Sequence, residues 1–579
     1  MKTVLRQLGR YKKDTLMCIG LTSFEVIMEI LLPFITAIII DNGLEAANLS
    51  TVYRYGALMV LMAFFSLIFG ATAGKYAASA SSGFAANLRE SIYNNIQTFS
   101  FSNIDKFSVP GLVTRMTTDI TNVQNAFMML IRIAVRAPLM FVFSFMMCLI
   151  ISPKLSMTFL IAVVFLLVVL GTIMVVTMKI FNLVFRKYDD LNASVQENIS
   201  AIRVVKAFVR EDYENDKFSK AASNLYRLFV KAEGLLAFNN PAMMLSVYFC
   251  IIMISWLGAH FIVGGSMSSG DLTSLFSYVM SLLMSLMMLS MVVVMLSMSM
   301  ASIRRIQEVL EETPDLKEPA NPVYEVADGS IDFQHVNFSY KHGSGKNALS
   351  DINLHIHSGE TIGVIGGTGS GKSSLVNLIC RLYDVDDGAV CVGGVDVRNY
   401  DMESLRNQVS VVLQKNTLFS GTILENLRWG NPQATDQECI EACRAACADE
   451  FIDRFPQGYQ TRIERGGANV SGGQKQRLCI ARALLKKPKV LILDDSTSAV
   501  DTATDAKIRQ AFAEKIPGTT KIIIAQRISS VEHADRILVL DNGTVNGFDT
   551  HENLLKTNAI YQEIYESQVK GGGDFDQPA

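Results

Sequence analysis

The chain has 579 residues, of which 50% are apolar and only 18% are charged. Soluble proteins carry about 25% charged residues, so the composition excludes a wholly soluble protein, and the apolar content excludes an intrinsically disordered one. The net charge of −3 argues against nucleic acid as a partner, and nine cysteines without a regular spacing argue against a disulfide-stapled secreted domain.

Six apolar stretches in the first half are each long enough, at about 20 residues, to cross a lipid bilayer. They run approximately over 15–40, 57–80, 127–151, 156–180, 241–263 and 272–301. We therefore predict a transmembrane domain over residues 1–312, with long extensions in segments 81–126 and 181–240. Basic residues are concentrated at the N-terminus and in these two segments, so the positive-inside rule places both termini and the extensions in the cytoplasm.

Ionisable residues inside predicted spans are candidates for function. Glu25 and Glu29 lie one helical turn apart in the first span, and Arg132 and Arg136 do so in the third. Three roles stay open: contact with a cationic substrate, an ion-pair network within the membrane, and control of an outer gate. For the arginines, a structural role or a water-filled cavity is the preferred interpretation.

The sixth span carries methionines at near-helical spacing, among them Met284, Met287 and Met291, beside a stripe of serines. One hypothesis is an adaptable wall that contacts varied apolar compounds or forms part of a gate. The alternative is helix packing, in which serines allow close approach and methionines fill gaps. The two interpretations are compatible.

The second half has a different composition. Residues 313–329 are rich in proline and charge, which predicts a linker. From 330 to 570, short β-rich runs alternate with helical patterns, as is typical of an α/β domain. Residues 571–579 are predicted to be a flexible tail.

A glycine-rich motif in the α/β domain predicts a phosphate site. It fits G-x-x-x-x-G-K-[ST] between a strand-like run and a helical run that begins at Ser374, and it consists of Gly366, Gly367, Thr368, Gly369, Ser370, Gly371, Lys372 and Ser373. The glycines let backbone N–H groups surround phosphates. Lys372 would pair with the β- and γ-phosphates of ATP, and the Ser373 hydroxyl would ligate Mg²⁺. Further along, an apolar strand ends in Asp494. This carboxylate and the glycine-rich motif, which is called the P-loop, would both contribute to the ligand shell of Mg²⁺.

A third motif lies before that strand and consists of Ser471, Gly472, Gly473 and Gln474. It resembles the signature of ATP-binding cassette (ABC) transporters, which grips the γ-phosphate of ATP bound by the other cassette of a dimer. The resemblance implies a six-helix α transmembrane domain of the exporter type, followed by an α/β P-loop ATP-binding cassette. It also implies ATP and Mg²⁺ as cofactors.

Other residues match the family one by one. Tyr340 resembles the aromatic residue that stacks on adenine, and Gln414 resembles the glutamine that contacts Mg²⁺ and the attacking water. Ser498 and Asp501 resemble the D-loop, which crosses to the opposite cassette. By position, the family's coupling helices lie near residues 110–115 and 208–213.

Two positions depart from the family pattern. The glutamate that polarises the attacking water is replaced by Asp495, whose side chain is one methylene shorter, and the switch histidine is replaced by Gln526. Losing a well-placed general base costs about 10²–10⁴ in rate. Glutamine also cannot share a positive charge with the transferring phosphoryl group, as histidine can. These substitutions predict a site that binds ATP and hydrolyses it poorly.

The pattern resembles the degenerate-site subunit of heterodimeric bacterial multidrug exporters. The implied partner is a second half-transporter with the consensus glutamate and histidine, and hydrolysis would occur mainly at its site, completed by this chain's signature. The implied location is the bacterial plasma membrane, and the implied substrate is a small apolar or amphipathic molecule. An importer built on the exporter fold, an ATP-gated channel or sensor, and a self-sufficient homodimer are the alternatives.

Overall fold

The structure, a computed structural model, describes residues 2–340, 347–495 and 500–571. It divides into two compact units: the first comprises residues up to 98 and 108–312, and the second comprises 99–107 and the described residues from 313 onward. The division after residue 312 coincides with the predicted end of the transmembrane domain. Residues 99–107, which that prediction placed in the transmembrane domain, group with the second unit instead. The predicted tail lies outside the described residues apart from Gly571.

The first unit is helical, and α4 alone among the first eleven helices belongs to the second unit. In chain order these helices are α1 (Lys2–Arg6), α2 (Lys12–Ile39), α3 (Leu49–Thr98), α4 (Phe101–Phe107), α5 (Val109–Thr114), α6 (Ile120–Ile151), α7 (Pro153–Ser200), α8 (Ile202–Ala207), α9 (Glu211–Ala237), α10 (Asn239–Val263) and α11 (Ser269–Glu311). Two π-helical segments, Ile40–Glu45 and Arg115–Asp119, extend α2 and precede α6.

Six helical segments among the described residues are long and apolar enough to cross a membrane. They are Gly9–Glu45, Leu49–Thr98, Val109–Ile151, Pro153–Ser200, Glu211–Val263 and Ser269–Glu311. Each contains one predicted span, so the prediction of six apolar helices is confirmed. The 50 residues of α3 would measure about 75 Å at 1.5 Å per residue, more than twice the roughly 30 Å of hydrocarbon in a bilayer. The long helices therefore continue well beyond the apolar windows, as the lengths of segments 81–126 and 181–240 indicate.

The connections between spans are set by side-chain caps. Ser152 accepts a hydrogen bond from the amide of Leu155, and Pro153 occupies the first position of α7, where its missing N–H costs nothing. Asp41, after the first span, accepts bonds from the Ser268 hydroxyl at 2.6 Å and the Gly270 amide at 2.8 Å. The Asp41 carboxylate therefore ties the end of the first span to the beginning of the sixth.

A buried carboxylate joins two helices at the other end of the first unit. Asp119 is 1% exposed and accepts hydrogen bonds from Ser302 at 2.9 Å and from the Arg305 guanidinium at 2.8 Å. Arg115, one helical turn away, pairs with Glu308 at 3.0 Å. Both pairs connect the segment before α6 to the last turns of α11, so Arg115 and Asp119 have a structural role.

The second unit contains three sheets. Their strands are β1 (Ile331–Phe338), β2 (Leu349–Ile356), β3 (Thr361–Gly366), β4 (Asp387–Val392), β5 (Val395–Asp396), β6 (Val409–Val412), β7 (Gly421–Thr422), β8 (Arg462–Ile463), β9 (Val490–Asp494), β10 (Thr520–Ile524), β11 (Arg536–Asp541) and β12 (Thr544–Asp549). The strand orders are β2-β1-β4-β5, β12-β11-β3-β10-β9-β6 and β7-β8.

Nine described helices accompany these strands: α12 (Lys372–Ile379), α13 (Met402–Gln408), α14 (Ile423–Leu427), α15 (Asp436–Ala445), α16 (Asp449–Ile452), α17 (Gly472–Leu484), α18 (Thr502–Lys515), α19 (His551–Thr557) and α20 (Ala559–Gly571). In the six-stranded sheet, every residue of β9 and β10 is buried, as expected for parallel strands covered on both faces. The α/β prediction is therefore confirmed.

Candidate nucleotide site

The predicted site residues meet at one edge of the six-stranded sheet. Strands β11, β3, β10, β9 and β6 are parallel, so their carboxyl ends share that edge. The P-loop follows β3, Asp494 ends β9, Gln526 lies two residues after β10, and Gln414 lies two residues after β6. Ligands of open α/β sheets bind at this edge, because loops from separate strands converge there.

Two glycines give the P-loop its shape. Gly371 has φ +99°, and a Cβ at this position would lie 2.7 Å from Leu349 and 2.9 Å from the carbonyl oxygen of Ala348. A Cβ on Gly366 would lie 2.2 Å from the carbonyl oxygen of Leu540. Neither position has room for a side chain, so the glycines are required for the close approach of the loop to its neighbours. Gly367, Thr368 and Gly369 remain exposed between them.

Lys372 begins α12 and turns back over the P-loop. Its ammonium group donates hydrogen bonds of 2.8 Å to the carbonyl oxygens of Gly366 and Gly367, and its Nζ lies 3.4 Å from Oγ of the buried Ser370. Burial lowers the pKa of Lys372 below its usual range. The lysine thus occupies the mouth of the loop and is held by weak neutral acceptors, which phosphate oxygens could replace.

Ser373 and Asp494 form a set of oxygen ligands suited to Mg²⁺. Asp494 is 8% exposed, and its carboxylate accepts a hydrogen bond from the Ser373 hydroxyl. Burial raises the pKa of Asp494 above its usual range, and the neighbouring charge of Asp495 acts in the same direction. A buried carboxylate of this kind gains most from a cation, and Mg²⁺ prefers carboxylate and hydroxyl oxygens. The residues present therefore fit the ion.

The two departures from the family pattern are in direct contact. Gln526 donates a hydrogen bond of 3.0 Å to Asp495, and Gln414 donates a bond of 3.3 Å to the same carboxylate oxygen. Asp495 also has φ +48°, a left-handed conformation that aspartate adopts more readily than most residues. Two amide groups therefore hold the aspartate that replaces the general base.

Tyr340, the predicted adenine-stacking residue, is part of an aromatic group. Its side chain is 49% exposed, its hydroxyl lies 3.0 Å from the Ser374 hydroxyl, and its ring packs edge-on against Tyr383 at a centroid distance of 5.1 Å. Tyr383 in turn donates a hydrogen bond of 2.7 Å to Asp105 and packs against Phe101. Sequence reasoning missed this connection, by which α4 contacts the aromatic side of the site.

Asp315 holds the same short segment to the linker. Its carboxylate accepts hydrogen bonds from the hydroxyl groups of Ser100 and Ser102. Burial alone would raise the pKa of Asp315, but these hydrogen bonds outweigh burial and keep the pKa below its usual range. No local pattern in residues 99–107 indicated that they would group with the second unit.

The signature residues are at the beginning of α17. Ser471 caps the helix: its hydroxyl accepts from the amide of Gln474 at 3.3 Å, and the Gln474 side chain accepts from the amide of Ser471 at 2.9 Å. The side chains of Ser471 and Gln474 thus bond to each other's backbone amides. Gly472 follows the cap and is exposed, and Gly473 comes next. This end of α17 is thus an exposed helix N-terminus, which favours anions.

The remaining predicted loop is described in part. Asp501 caps α18 by accepting a hydrogen bond of 2.9 Å from the amide of Thr504, whereas Ser498 lies outside the described residues. A residue that sequence reasoning missed, Gln568 of α20, contacts the loop after β10. Its amide donates to the carbonyl oxygen of Gln526 at 2.8 Å and accepts from the amide of Ile528 at 2.8 Å. No local motif marks Gln568, because it is 42 residues from Gln526.

In the first unit, the structure brings together three of the four predicted intramembrane charges. The Arg136 guanidinium pairs with Glu25 at 2.6 Å and with Glu29 at 2.7 Å. These contacts form an ion-pair network, and the substrate and gate roles of the same residues stay predictions. Arg132 lies beside Gly74, where an added Cβ would be 3.5 Å from the guanidinium.

Comparisons with known proteins agree with this geometry. A family model described as ABC transporter transmembrane region matches residues 15–302, and one described as ABC transporter matches residues 349–498. YfiB of Bacillus subtilis, an uncharacterized ABC transporter ATP-binding protein, is 37% identical over 94% of both chains. An uncharacterized ABC transporter ATP-binding protein of Mycobacterium tuberculosis is 35% identical over 98% of both.

A solved structure has the same fold. The structure of a bacterial Atm1-family ABC exporter with ATP bound superposes with a TM-score of 0.81, covering 98% of this chain and 99% of the other at 23% identity. The six apolar helices followed by an α/β cassette are therefore the exporter arrangement.

Proposed function

This chain belongs to the ABC transporter family, and we propose that it is one half of a heterodimeric exporter whose own nucleotide site binds Mg-ATP but hydrolyses it slowly. The observation that carries the proposal is the contact of Asp495 with Gln414 and Gln526. Both residues that replace family catalytic groups belong to one hydrogen-bonded cluster. Both substitutions therefore act on one hydrolytic site, and their effects on hydrolysis combine there.

Binding depends on residues that match the family pattern. The exposed backbone of the P-loop would surround the phosphates, and Lys372 would exchange the carbonyl oxygens of Gly366 and Gly367 for phosphate oxygens. Ser373 and Asp494 would hold Mg²⁺, which neutralises charge on the β- and γ-phosphates when it is bound. Tyr340 would cover the adenine.

Hydrolysis depends on Asp495 and Gln526, the two residues that differ from the family pattern. The Asp495 side chain is one methylene shorter than glutamate, and one of its carboxylate oxygens already accepts hydrogen bonds from both Gln414 and Gln526. Gln526 keeps a hydrogen-bond donor at the switch position but carries no charge. The expected result is a long-lived ATP complex at this site.

The rest of the chain supports a partner with the missing groups. The signature at Ser471–Gln474 is complete, which matters most if a second chain presents ATP to it. The tip after α8 (Ile202–Ala207) exposes apolar side chains, with Phe208 at 72% and Val209 at 81%. Exposed apolar residues at a tip of this kind are suited to a second cassette. We place the complex in the bacterial plasma membrane with both termini cytoplasmic, and we propose apolar or amphipathic substrates.

The test compares ATP hydrolysis by the purified chain alone and by the chain co-expressed with a half-transporter that has the consensus glutamate and histidine. We expect slow hydrolysis by the chain alone and fast hydrolysis by the pair. Replacing the partner's catalytic glutamate with glutamine should abolish both hydrolysis and uptake of substrate into inverted vesicles. Fast hydrolysis by the chain alone, or transport that survives the partner substitution, would overturn the proposal.

A further inference from the structure

The membrane-spanning unit contains an apolar cavity of about 480 Å³ between α7, α10 and α11. This volume is within the range of small-molecule sites, about 300–1,000 Å³. Leu166 and Leu170 of α7 line one wall of the cavity. Another wall consists of four methionines of α11: Met284, Met287, Met288 and Met291. Among the described residues that line the cavity, none is charged.

The methionine wall can change shape without disturbing the helix core. Leu282, Leu283 and Leu286 of the same helix are buried, whereas the four methionines are 42–61% exposed. Methionine has flexible torsions and a polarizable sulfur, so it conforms to ligands of different outline. A site of this kind selects for apolar surface and size more than for one exact shape.

Two polar side chains, those of Asn239 and Ser290, interrupt the apolar lining. Asn239 begins α10 directly after the break that follows α9, and its Oδ1 atom is buried without a hydrogen-bond partner. The N-cap of α10 is Phe238, so Asn239 is at the first helical position, and its oxygen accepts no hydrogen bond from a backbone amide. The hydroxyl groups of Ser246 and Ser285 nearby, in contrast, donate to carbonyl oxygens of their own helices. A buried acceptor left unpaired is costly and is rare in proteins, so a bound donor would satisfy it.

We infer that this cavity binds an apolar molecule carrying a single N–H or O–H donor, which Asn239 Oδ1 accepts. The absence of charge among the described lining residues disfavours strongly ionic ligands, because they would lose hydration without a countercharge. The inference rests on the proposed transport of apolar or amphipathic compounds and specifies their chemical class. It places the substrate contact on this chain itself.

The test uses two fluorescent probes of matched apolar surface, 1-aminoanthracene and its N,N-dimethyl derivative, which lacks the N–H donor. Binding is measured on the full chain in phosphatidylcholine–phosphatidylglycerol nanodiscs without nucleotide, with empty nanodiscs as the lipid background. We expect the amine to bind about 5- to 150-fold more tightly than the dimethyl probe, the range of one buried hydrogen bond. Asn239→Leu should remove this preference, and Asn239→Asp should retain it.

Asn240→Leu is the matched control, because Asn240 is adjacent, exposed and absent from the cavity lining. It should leave both affinities unchanged. Equal binding of the two probes to the unaltered chain, an unchanged preference in Asn239→Leu, or an equal loss in Asn240→Leu would each overturn the inference. Because the measurement involves neither ATP nor a partner, failure of the heterodimer proposal would leave these outcomes unaffected.

Discussion

Replacing Asp495 with glutamate and Gln526 with histidine, the residues of the family pattern, should convert this site into a hydrolytic one. In the variant Asp495→Glu/Gln526→His, the longer side chain moves the carboxylate outward by about one C–C bond, 1.5 Å. Gln526→His removes the amide that donates to Asp495 at 3.0 Å, and the longer side chain moves away from the Gln414 amide, which donates at 3.3 Å. A well-placed general base is worth about 10²–10⁴ in rate, which corresponds to about 3–5 kcal/mol of barrier. We expect hydrolysis at this site to rise at least 100-fold.

Each single substitution should raise the rate of hydrolysis much less than the double variant does. Asp495 and Gln526 are in contact, so changing one alters the environment of the other. With Asp495→Glu alone, the Gln526 amide remains available to bind the new carboxylate. With Gln526→His alone, the short carboxylate remains. We therefore expect gains of about tenfold or less from each single variant, well below the gain from the pair.

The assay measures ATP hydrolysis by the chain paired with a half-transporter whose own catalytic glutamate is replaced by glutamine, so that only this site is active. Lys372→Ala in the double variant should abolish the gained activity, and Asp453→Glu, at an exposed position after α16, should have no effect. A double variant that binds ATP normally but hydrolyses it less than tenfold faster than the unaltered chain would refute the reasoning.

Three further predictions follow from individual contacts. Binding of Mg-ATP should weaken as the pH falls, already at pH values above the usual aspartate range, because burial raises the pKa of Asp494 and Mg²⁺ binds its ionised form. In a titration of Mg²⁺-dependent affinity against pH, Asp494→Asn should lose this pH-dependent step. Arg136→Met should lower the free energy of unfolding of the full chain by about 3–5 kcal/mol, because it leaves the buried carboxylate of Glu25 unpaired. Gln568→Leu should speed hydrogen exchange at the Ile528 amide about 2- to 12-fold, the equivalent of one lost hydrogen bond.

Each of these three predictions has its own control. ATP affinity without Mg²⁺ should not show the pH step of Asp494. Adding Glu25→Gln to Arg136→Met should recover part of the lost stability, and no recovery would contradict the ion-pair explanation. Gln562→Leu, on the same helix as Gln568, removes a bond to Leu555 and should leave exchange at Ile528 unchanged. Faster exchange in both variants would indicate general loosening of α20.

The chemistry of the site was predictable where it depends on short patterns. The P-loop requires glycines at fixed offsets from Lys372, because the backbone itself binds phosphate, and Asp494 is recognisable because a run of apolar residues precedes it. The spans were predictable from length, since about 20 apolar residues are needed to cross a bilayer. Helix ends were less predictable: α3 continues to Thr98, well beyond the predicted span that ends near residue 80.

Contacts between distant segments could not be predicted in the same way. Sequence identified Asp495 and Gln526 separately, but packing of parallel strands brings them together across 31 residues. Sequence likewise identified two pairs of charges in the membrane, and only the folded helices show that Arg136 serves both glutamates. Composition, periodicity and motif spacing are local properties and were enough for the family, the domain order and the nucleotide chemistry. Partner choice among polar groups, and the unpaired oxygen of Asn239, depend on which helices and strands become neighbours, which long-range packing alone decides.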